Sequence, residues 1–230
     1  MRIDVLTLFP NMINSYIGES IISRAIENKI IEVNVIDFRS FSASKHKKVD
    51  DSPYGGGSGM VLSVQPIHDC LISIEGYKEA LKIMMTPQGK TYHQTDAYEL
   101  TKVNHMIILC GHYEGYDERI RDLFDLEISI GDYVLTGGEI GALVLIDSIS
   151  RLIPNVLNKG DSFKDDSFSS YMLEHPHYTR PQVFNGKAVP DVLLSGNHKE
   201  IEKWRQEQSL KRTKERRPDL LKRGDDNGKV

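Results

Sequence analysis

The sequence predicts an α/β domain with a mainly parallel sheet, joined to a small helical domain at its C-terminal side. Three observations carry that prediction. Apolar runs of strand length alternate with segments of helical period over residues 1–153. Turns rich in glycine and polar residues follow several of those runs. The strand signals then stop, and a polar stretch leads into a charged helical segment. The expected organisation is a domain over 1–153, a flexible linker over 154–174 and a helical domain over 175–230.

The elements follow in order. Residues 3–9 are a short apolar run ended by Pro10, which suits a buried strand. Residues 11–29 place Met12, Tyr16, Ile22, Ala25 and Ile26 at helical spacing and predict one helix. Residues 31–37 alternate and predict a strand. Residues 39–60 show no period and hold Pro53 with four glycines, so a long loop is expected there, functional or disordered. Residues 64–74 predict a helix with Pro66 in its first turn. A strand over 82–86 is expected to stop at Pro87-Gln88-Gly89, and a short helix to cover 95–102. Residues 105–111, His-Met-Ile-Ile-Leu-Cys-Gly, give the clearest buried strand. Residues 116–124 read as a helix, 126–130 as a strand and 139–152 as a helix with a mostly apolar face. Residues 190–221, with Trp204, read as helical and too short for a large core of their own.

Composition narrows the class. The chain has 230 residues, 39% hydrophobic and 27% charged, which supports one good core and excludes wholesale disorder. No apolar run reaches the ~18 residues that span a bilayer. The first ten residues hold Asp4 within the apolar stretch, which reads as a first strand and not as a signal peptide. Cys70 and Cys110 stand far apart, with no further ligand at metal spacing, so neither a structural zinc site nor a disulfide framework is expected. A soluble cytoplasmic protein with no membrane partner is expected. The net charge of −4 argues weakly against nucleic acid, but the charge is unevenly placed. Basic residues outnumber acidic ones between Lys199 and Arg223, and Lys45, His46, Lys47 and Lys48 form a second cluster. Such patches are solvated faces or RNA surfaces.

Several segments can carry chemistry. The loop Tyr54-Gly55-Gly56-Gly57-Ser58-Gly59-Met60 lacks the Gly-Lys-Ser/Thr of a P-loop, and Met60 falls where a dinucleotide fingerprint needs its third glycine. What remains is a loop whose backbone can approach a ligand closely, or a plain connector. Thr86-Pro87-Gln88-Gly89, Gly111-His112-Tyr113-Glu114-Gly115 and residues 130–139 each follow a predicted strand. In open α/β sheets ligands bind outside the carboxyl ends of strands, so these three can surround one small ligand; each alone is also an ordinary tight turn. Asp165 and Asp166 precede Ser167-Phe168 in the linker. His175 and His177 are a His pair two apart that could suggest a metal, which is not expected here.

Six stretches in this order resemble the tRNA (guanine-N1)-methyltransferase family, TrmD. They are Leu6-Thr7-Leu8-Phe9-Pro10, residues 50–60, residues 111–119, Ser129-Ile130-Gly131-Asp132-Tyr133-Val134-Leu135, Pro176-His177-Tyr178-Thr179-Arg180-Pro181 and residues 192–198. Glu174 stands where some members carry Asp, and the chain after residue 223 is shorter than in many.

The resemblance implies a SPOUT-type fold with a trefoil knot, working as a homodimer on tRNA and not on DNA. It implies S-adenosylmethionine as methyl donor, bound by Thr86, Pro87, Gly111, Tyr113, Glu114, Gly115, Ile130, Gly131, Asp132, Tyr133, Val134, Leu135, Gly137 and Gly138. It implies methylation of the guanine immediately 3′ of the anticodon, with Asp166 as general base and Arg151 as the arginine of the site. Magnesium is associated with activity in the family, and the sequence shows no ligand set for it. Candidate tRNA contacts are Asp50, Tyr54, Gly55, Gly56, Gly57, Gly59, Tyr178, Arg180, Lys211, Arg212 and Arg216. The chemistry asks for such groups. Guanine N1 carries a proton near neutral pH, so a base must take it as the methyl arrives. Charge then builds on O6, where a cation or donor stabilises it. The rivals are a related enzyme acting elsewhere on RNA, a noncatalytic RNA-binding protein and a hydrolase built on His175 and His177.

Overall fold

The computed structural model describes residues 1–157, 167–168 and 171–226, the last four by backbone alone. The chain divides into two compact units, residues 1–158 and 159–230.

The first unit holds β1 (Arg2–Thr7), α1 (Pro10–Ile17), α2 (Ser20–Glu27), β2 (Glu32–Asp37), β3 (Asp50–Asp51), β4 (Val61–Leu62), α3 (Val64–Ser73), β5 (Leu81–Thr91), α4 (Gln94–Leu100), β6 (His105–Cys110), β7 (Leu126–Ser129) and α5 (Glu139–Ser150). Five strands form one sheet in the order β2-β1-β6-β5-β7, and every neighbouring pair is parallel. A parallel sheet is covered on both faces, which is why β1 and β6 read as nearly unbroken apolar runs. Leu6, Leu8, Met84, Ile107 and Leu109 face α3 and pack with Phe38, Ile67, Cys70, Leu71 and Ile120. The alternate positions Ile3, Val5, Ile83, Met106 and Ile108 are fully buried toward the other face, where α5 packs on β1 and β6. Each such side chain stabilises the fold by about 1.5–3 kcal/mol.

A carboxylate lies inside this core. Asp4 has no exposed surface, and its carboxylate meets Arg2 (3.0 Å), His105 (2.5 Å) and the Asn34 amide (2.9 Å). A buried carboxylate is tolerated only with such partners.

Four sequence readings need correction. Residues 11–29 are two helices: Gly18 N–H closes α1 on Asn14 C=O (3.0 Å), Glu19 is extended, and α2 starts again at Ser20. β5 does not stop at Pro87-Gln88-Gly89 but runs on to Thr91. Proline cannot donate to a ladder, so pairing with β7 lapses after Met85 and resumes at Lys90 in a shifted register. Residues 116–124 form only a 3-10 turn, Glu118–Leu123, capped by Asp117. The long loop before Met60 holds a 3-10 turn at Phe38–Phe41, and its end pairs antiparallel, Asp50 with Leu62 and Asp51 with Val61. The glycine-rich loop is therefore the tip of a hairpin.

In the second unit, β8 (Val183–Phe184) and β9 (Lys187–Ala188) form a hairpin that the sequence reading missed. Its Asn185-Gly186 turn has positive φ at both residues, the usual signal for a two-residue hairpin. A 3-10 turn at Asp191–Leu194 leads to α6 (His198–Arg216), whose cap is the Asn197 side chain, and Pro218 begins α7 (Pro218–Asp226). Leu173 N–H donates to Thr213 Oγ1 (2.9 Å). Among the described residues of this unit, only Thr213 and Leu220 are buried.

Gly89 tests the irregular end of β5, because a Cβ there would lie 2.4 Å from the backbone of Glu127 and Ile128. Gly89→Ala is expected to lower unfolding stability by about 2 kcal/mol in a urea titration. An unchanged midpoint would show that the backbone at Glu127 gives way.

Candidate active site

β5, β6 and β7 run parallel, so the unpaired residues 86–89 of β5 and the loops leaving β6 and β7 meet at one edge of the sheet. β5 lies between the other two. Residues 130–138, leaving β7, must pass the end of β5 to reach β6, and there Gly138 N–H donates to Gly111 C=O (2.9 Å). A side chain at Gly138 would stand 2.8 Å from the Cys110 Cα and the Gly111 nitrogen, so only glycine fits this approach. These three segments enclose a cleft of about 430 Å³, a usual size for a small-molecule site.

Thr86 and Pro87, then Gly111, Tyr113, Glu114 and Gly115, then Ile130, Gly131, Tyr133, Val134, Leu135, Gly137 and Gly138 all line this cleft. Asp132, predicted with them, does not. Tyr113 holds φ at +59°, a conformation that costs a side chain on the order of 1 kcal/mol and often marks functional loops. The Tyr116 hydroxyl fastens the cleft floor by donating to Met85 C=O (3.0 Å) and Leu109 C=O (3.3 Å), one on each of two strands. Burial pushes its pKa well up, so it stays a donor. Burial likewise raises the Cys110 thiol, which is therefore unreactive.

Gln88, Tyr116, Glu118 and Arg121 also line the cleft. Gln88 belongs to the Thr86–Gly89 segment expected to border a small ligand, though it is not among the individually predicted contacts. The other three fall in a segment read as a helix, and no local signal marks them as cleft residues, because tertiary contacts bring them there. Arg121 meets Glu118 (2.9 Å) and Glu127, and donates to the Gln88 carbonyl oxygen (2.7 Å). Glu127 first, then Glu118, hold its pKa above the ordinary guanidinium value. With Arg121 so matched, Glu114 leaves the wall net negative, which suits a ligand carrying positive charge.

The glycine-rich loop abuts the cleft. Glu114 N–H donates to Met60 C=O (3.0 Å), Leu62 N–H to Gly115 C=O (2.9 Å) and Asp117 N–H to Leu62 C=O (2.9 Å). Tyr54, Gly55, Gly56 and Gly57 are exposed at its tip, Gly59 lies against the Glu114 side chain, and Asp50 is half-buried at its base.

Other predicted residues stand apart. Arg151 caps the far end of α5, about 20 Å along the helix from Gly138. Asp166 lies outside the described residues. In the second unit Tyr178, Arg180, Lys211 and Arg216 are exposed and Arg212 is half-buried. Arg212 and Arg216 share a face of α6. His177 pairs with Glu174 (2.7 Å), and no group of three or more His, Cys, Asp or Glu among the described residues is placed to hold a metal.

Asp117 anchors the turn under Arg121. Its carboxylate accepts from Arg119 Nε (2.8 Å) and from the Arg119 backbone (3.0 Å). The Arg119 side chain is the main influence holding its pKa below the usual carboxylate range. A depressed carboxyl pKa adds stability that is present above the unfolded value and lost as pH falls through the folded one. Asp117→Ala is expected to cost about 1 kcal/mol at neutral pH. The gap to the parent should narrow as pH falls below about 4. A gap independent of pH would remove the charged fork as its source.

A family model described as tRNA (Guanine-1)-methyltransferase TrmD matches residues 1–223. A protein of Shouchella clausii (strain KSM-K16), named tRNA (guanine-N(1)-)-methyltransferase, is 57% identical over 224 residues, 96% of this chain and 92% of its own. A protein of the same name from Clostridioides difficile (strain 630) is 55% identical over 230 residues, 98% of this chain and all of its own. With similarity along nearly its whole length, the chain belongs to the tRNA (guanine-1)-methyltransferase family, TrmD.

Proposed function

We propose that the protein transfers a methyl group from S-adenosylmethionine to N1 of the guanine at tRNA position 37, immediately 3′ of the anticodon, and works in the cytoplasm. The observation that carries this reading is the single cleft in which three predicted strand-end loops converge. Membership of this family implies S-adenosylmethionine as methyl donor. The cleft fits it in volume, in its glycine-lined walls and in sign: the donor's sulfonium and ammonium outweigh its one carboxylate. When bound, it supplies an electrophilic methyl group on a cationic sulfur.

The chain's own residues do the rest. The unpaired stretch of β5 at 86–89 and the loops after β6 and β7 hold the donor and exclude water. Asp166 takes the N1 proton, and Arg151 stabilises the charge that builds on O6. Arg151 stands a helix length from the cleft of its own chain, which supports a homodimer whose sites are each completed by the other copy. The exposed apolar side chains of Phe9, just before α1, Met12 on α1, and Ile140 and Val144 on α5 support the same arrangement. The reading takes the first domain as a SPOUT-type trefoil knot, and the return of residues 130–138 past β5 supports it. It keeps 154–174 as the linker carrying Asp166, and 175–230 as a tRNA-binding domain. Arg212, Arg216 and Lys211 would meet phosphates, joined by Arg205 two turns earlier on the same face of α6. Tyr54 and the glycines at 55–59, beside the cleft, would meet the target nucleotide. No step is given to magnesium.

Three measurements test the reading. Labelled donor should mark a transcript with guanine at the target position, preceded by guanine, and leave one with adenine there unmarked; equal label would move the reaction to another site. Asp166→Asn should keep donor affinity and lose about 10²–10⁴-fold in turnover. Near-normal turnover would remove Asp166 as the base. Neutralising Lys211 and Arg212 together should reduce the salt slope of tRNA affinity by roughly 2. An unchanged slope would take α6 off the RNA surface.

A further inference from the structure

Arg121 lines the cleft, yet all its strong contacts are to protein. Its Nε meets Glu118, one terminal nitrogen meets Glu127, and the other donates to Gln88 Oε1 (2.7 Å). A guanidinium carries donors only. The Gln88 atom facing it must therefore be the amide oxygen. Left alone, a surface amide turns either way round at little cost. Here the ion pairs to Glu118 and Glu127 fix Arg121, and Arg121 fixes the amide. The Gln88 –NH2 has no hydrogen-bond partner among the described residues, although Gln88 is exposed and part of the cleft wall. Its backbone is held as well: Pro87 precedes it, and its N–H donates to Thr86 Oγ1 (3.3 Å).

We propose that Arg121 is a positioning residue that sets the orientation of the Gln88 amide, so that the Gln88 –NH2 donates a hydrogen bond to an oxygen acceptor of the methyl donor. The inference rests on assigning this cleft to S-adenosylmethionine. The oxygen acceptors of that molecule are of two kinds, those of its ribose and those of its amino-acid carboxylate. Its ammonium and sulfonium accept nothing, so the contact selects which end of the ligand lies beside β5.

The sign of one substitution separates this role from bulk electrostatics. Arg121→Gln removes a positive charge from the wall and, by charge alone, would tighten binding of a net cation. It also frees the Gln88 amide to turn, which the proposal expects to weaken binding. Calorimetry with S-adenosylmethionine and S-adenosylhomocysteine, alongside steady-state kinetics, reads both effects. Gln88→Met, at an exposed position, should keep the melting temperature and raise KM for the donor about tenfold, the size of one hydrogen bond. Its kcat at saturating donor should stay within about twofold. Arg121→Gln should show a similar rise in KM, and the double variant should lose no more than Gln88→Met alone. Tighter binding by Arg121→Gln, or losses that add in the double variant, would overturn the proposal. 5′-Methylthioadenosine, which lacks the amino-acid end, names the acceptor: a penalty that persists with it assigns the ribose, and one that disappears assigns the carboxylate. Leu135→Arg, which fills the cleft, guards the premise. Unchanged affinity in that variant would mean the donor binds elsewhere, and the failure would belong to the site assignment. Loss of binding there, with Gln88→Met and Arg121→Gln both behaving as the parent, would sink the Arg121–Gln88 inference alone.

Discussion

The bond from Gly138 N–H to Gly111 C=O holds the candidate site together. It brings the segment leaving the edge strand back to the middle of the sheet, and the cleft exists because that return encloses space above β5. The approach is closer than any side chain permits, and both partners are glycine. The same contact fixes where α5 begins. Glu139, in the first turn of α5, is buried and accepts the Thr7 hydroxyl at 2.7 Å, so the helix start is fastened to β1 as well. From there α5 lays Ala142, Leu145, Ile146 and Ile149 into the core. The site and the hydrophobic interior thus share one point of origin.

The two ends of the sheet treat charge differently. At the amino ends of the strands, Asp4 is enclosed and each side of its carboxylate meets a donor. Such a group holds structure and offers nothing to a ligand. At the carboxyl ends, Glu114 stands in an open cleft, and Arg121 beside it is occupied by Glu118 and Glu127. Partial matching at that end leaves a field, and a field is what a charged small molecule can use.

Much of this was legible in the sequence. The apolar runs at 3–9 and 105–111 gave buried parallel strands, because burial on both faces removes alternation. The glycine-bearing segments after them gave the cleft, since strand ends in a parallel sheet share one edge. Other features depended on contacts that no local pattern encodes. Pro87 suggested an end to β5, but a strand can lose pairing for several residues and recover it. The segment at 116–124 carried helical spacing, yet Tyr116 is pulled to Met85 and Leu109, and only a 3-10 turn remains. Arg121 and Gln88 lie far apart in sequence, and their meeting follows from the order of strands. The hairpin at 183–188 was announced by Asn185-Gly186 and was overlooked because its strands are so short.

The second unit has little interior among its described residues, with Thr213 and Leu220 buried and α6 polar around most of its circumference. So thin a core leaves little to offset the entropy of ordering the chain. Under the proposed function, an RNA that contacts the folded unit and not its unfolded chain would stabilise it by mass action. The unit's stability and its RNA affinity would then be linked quantities, and a melting temperature that rises with RNA concentration would be their common signature.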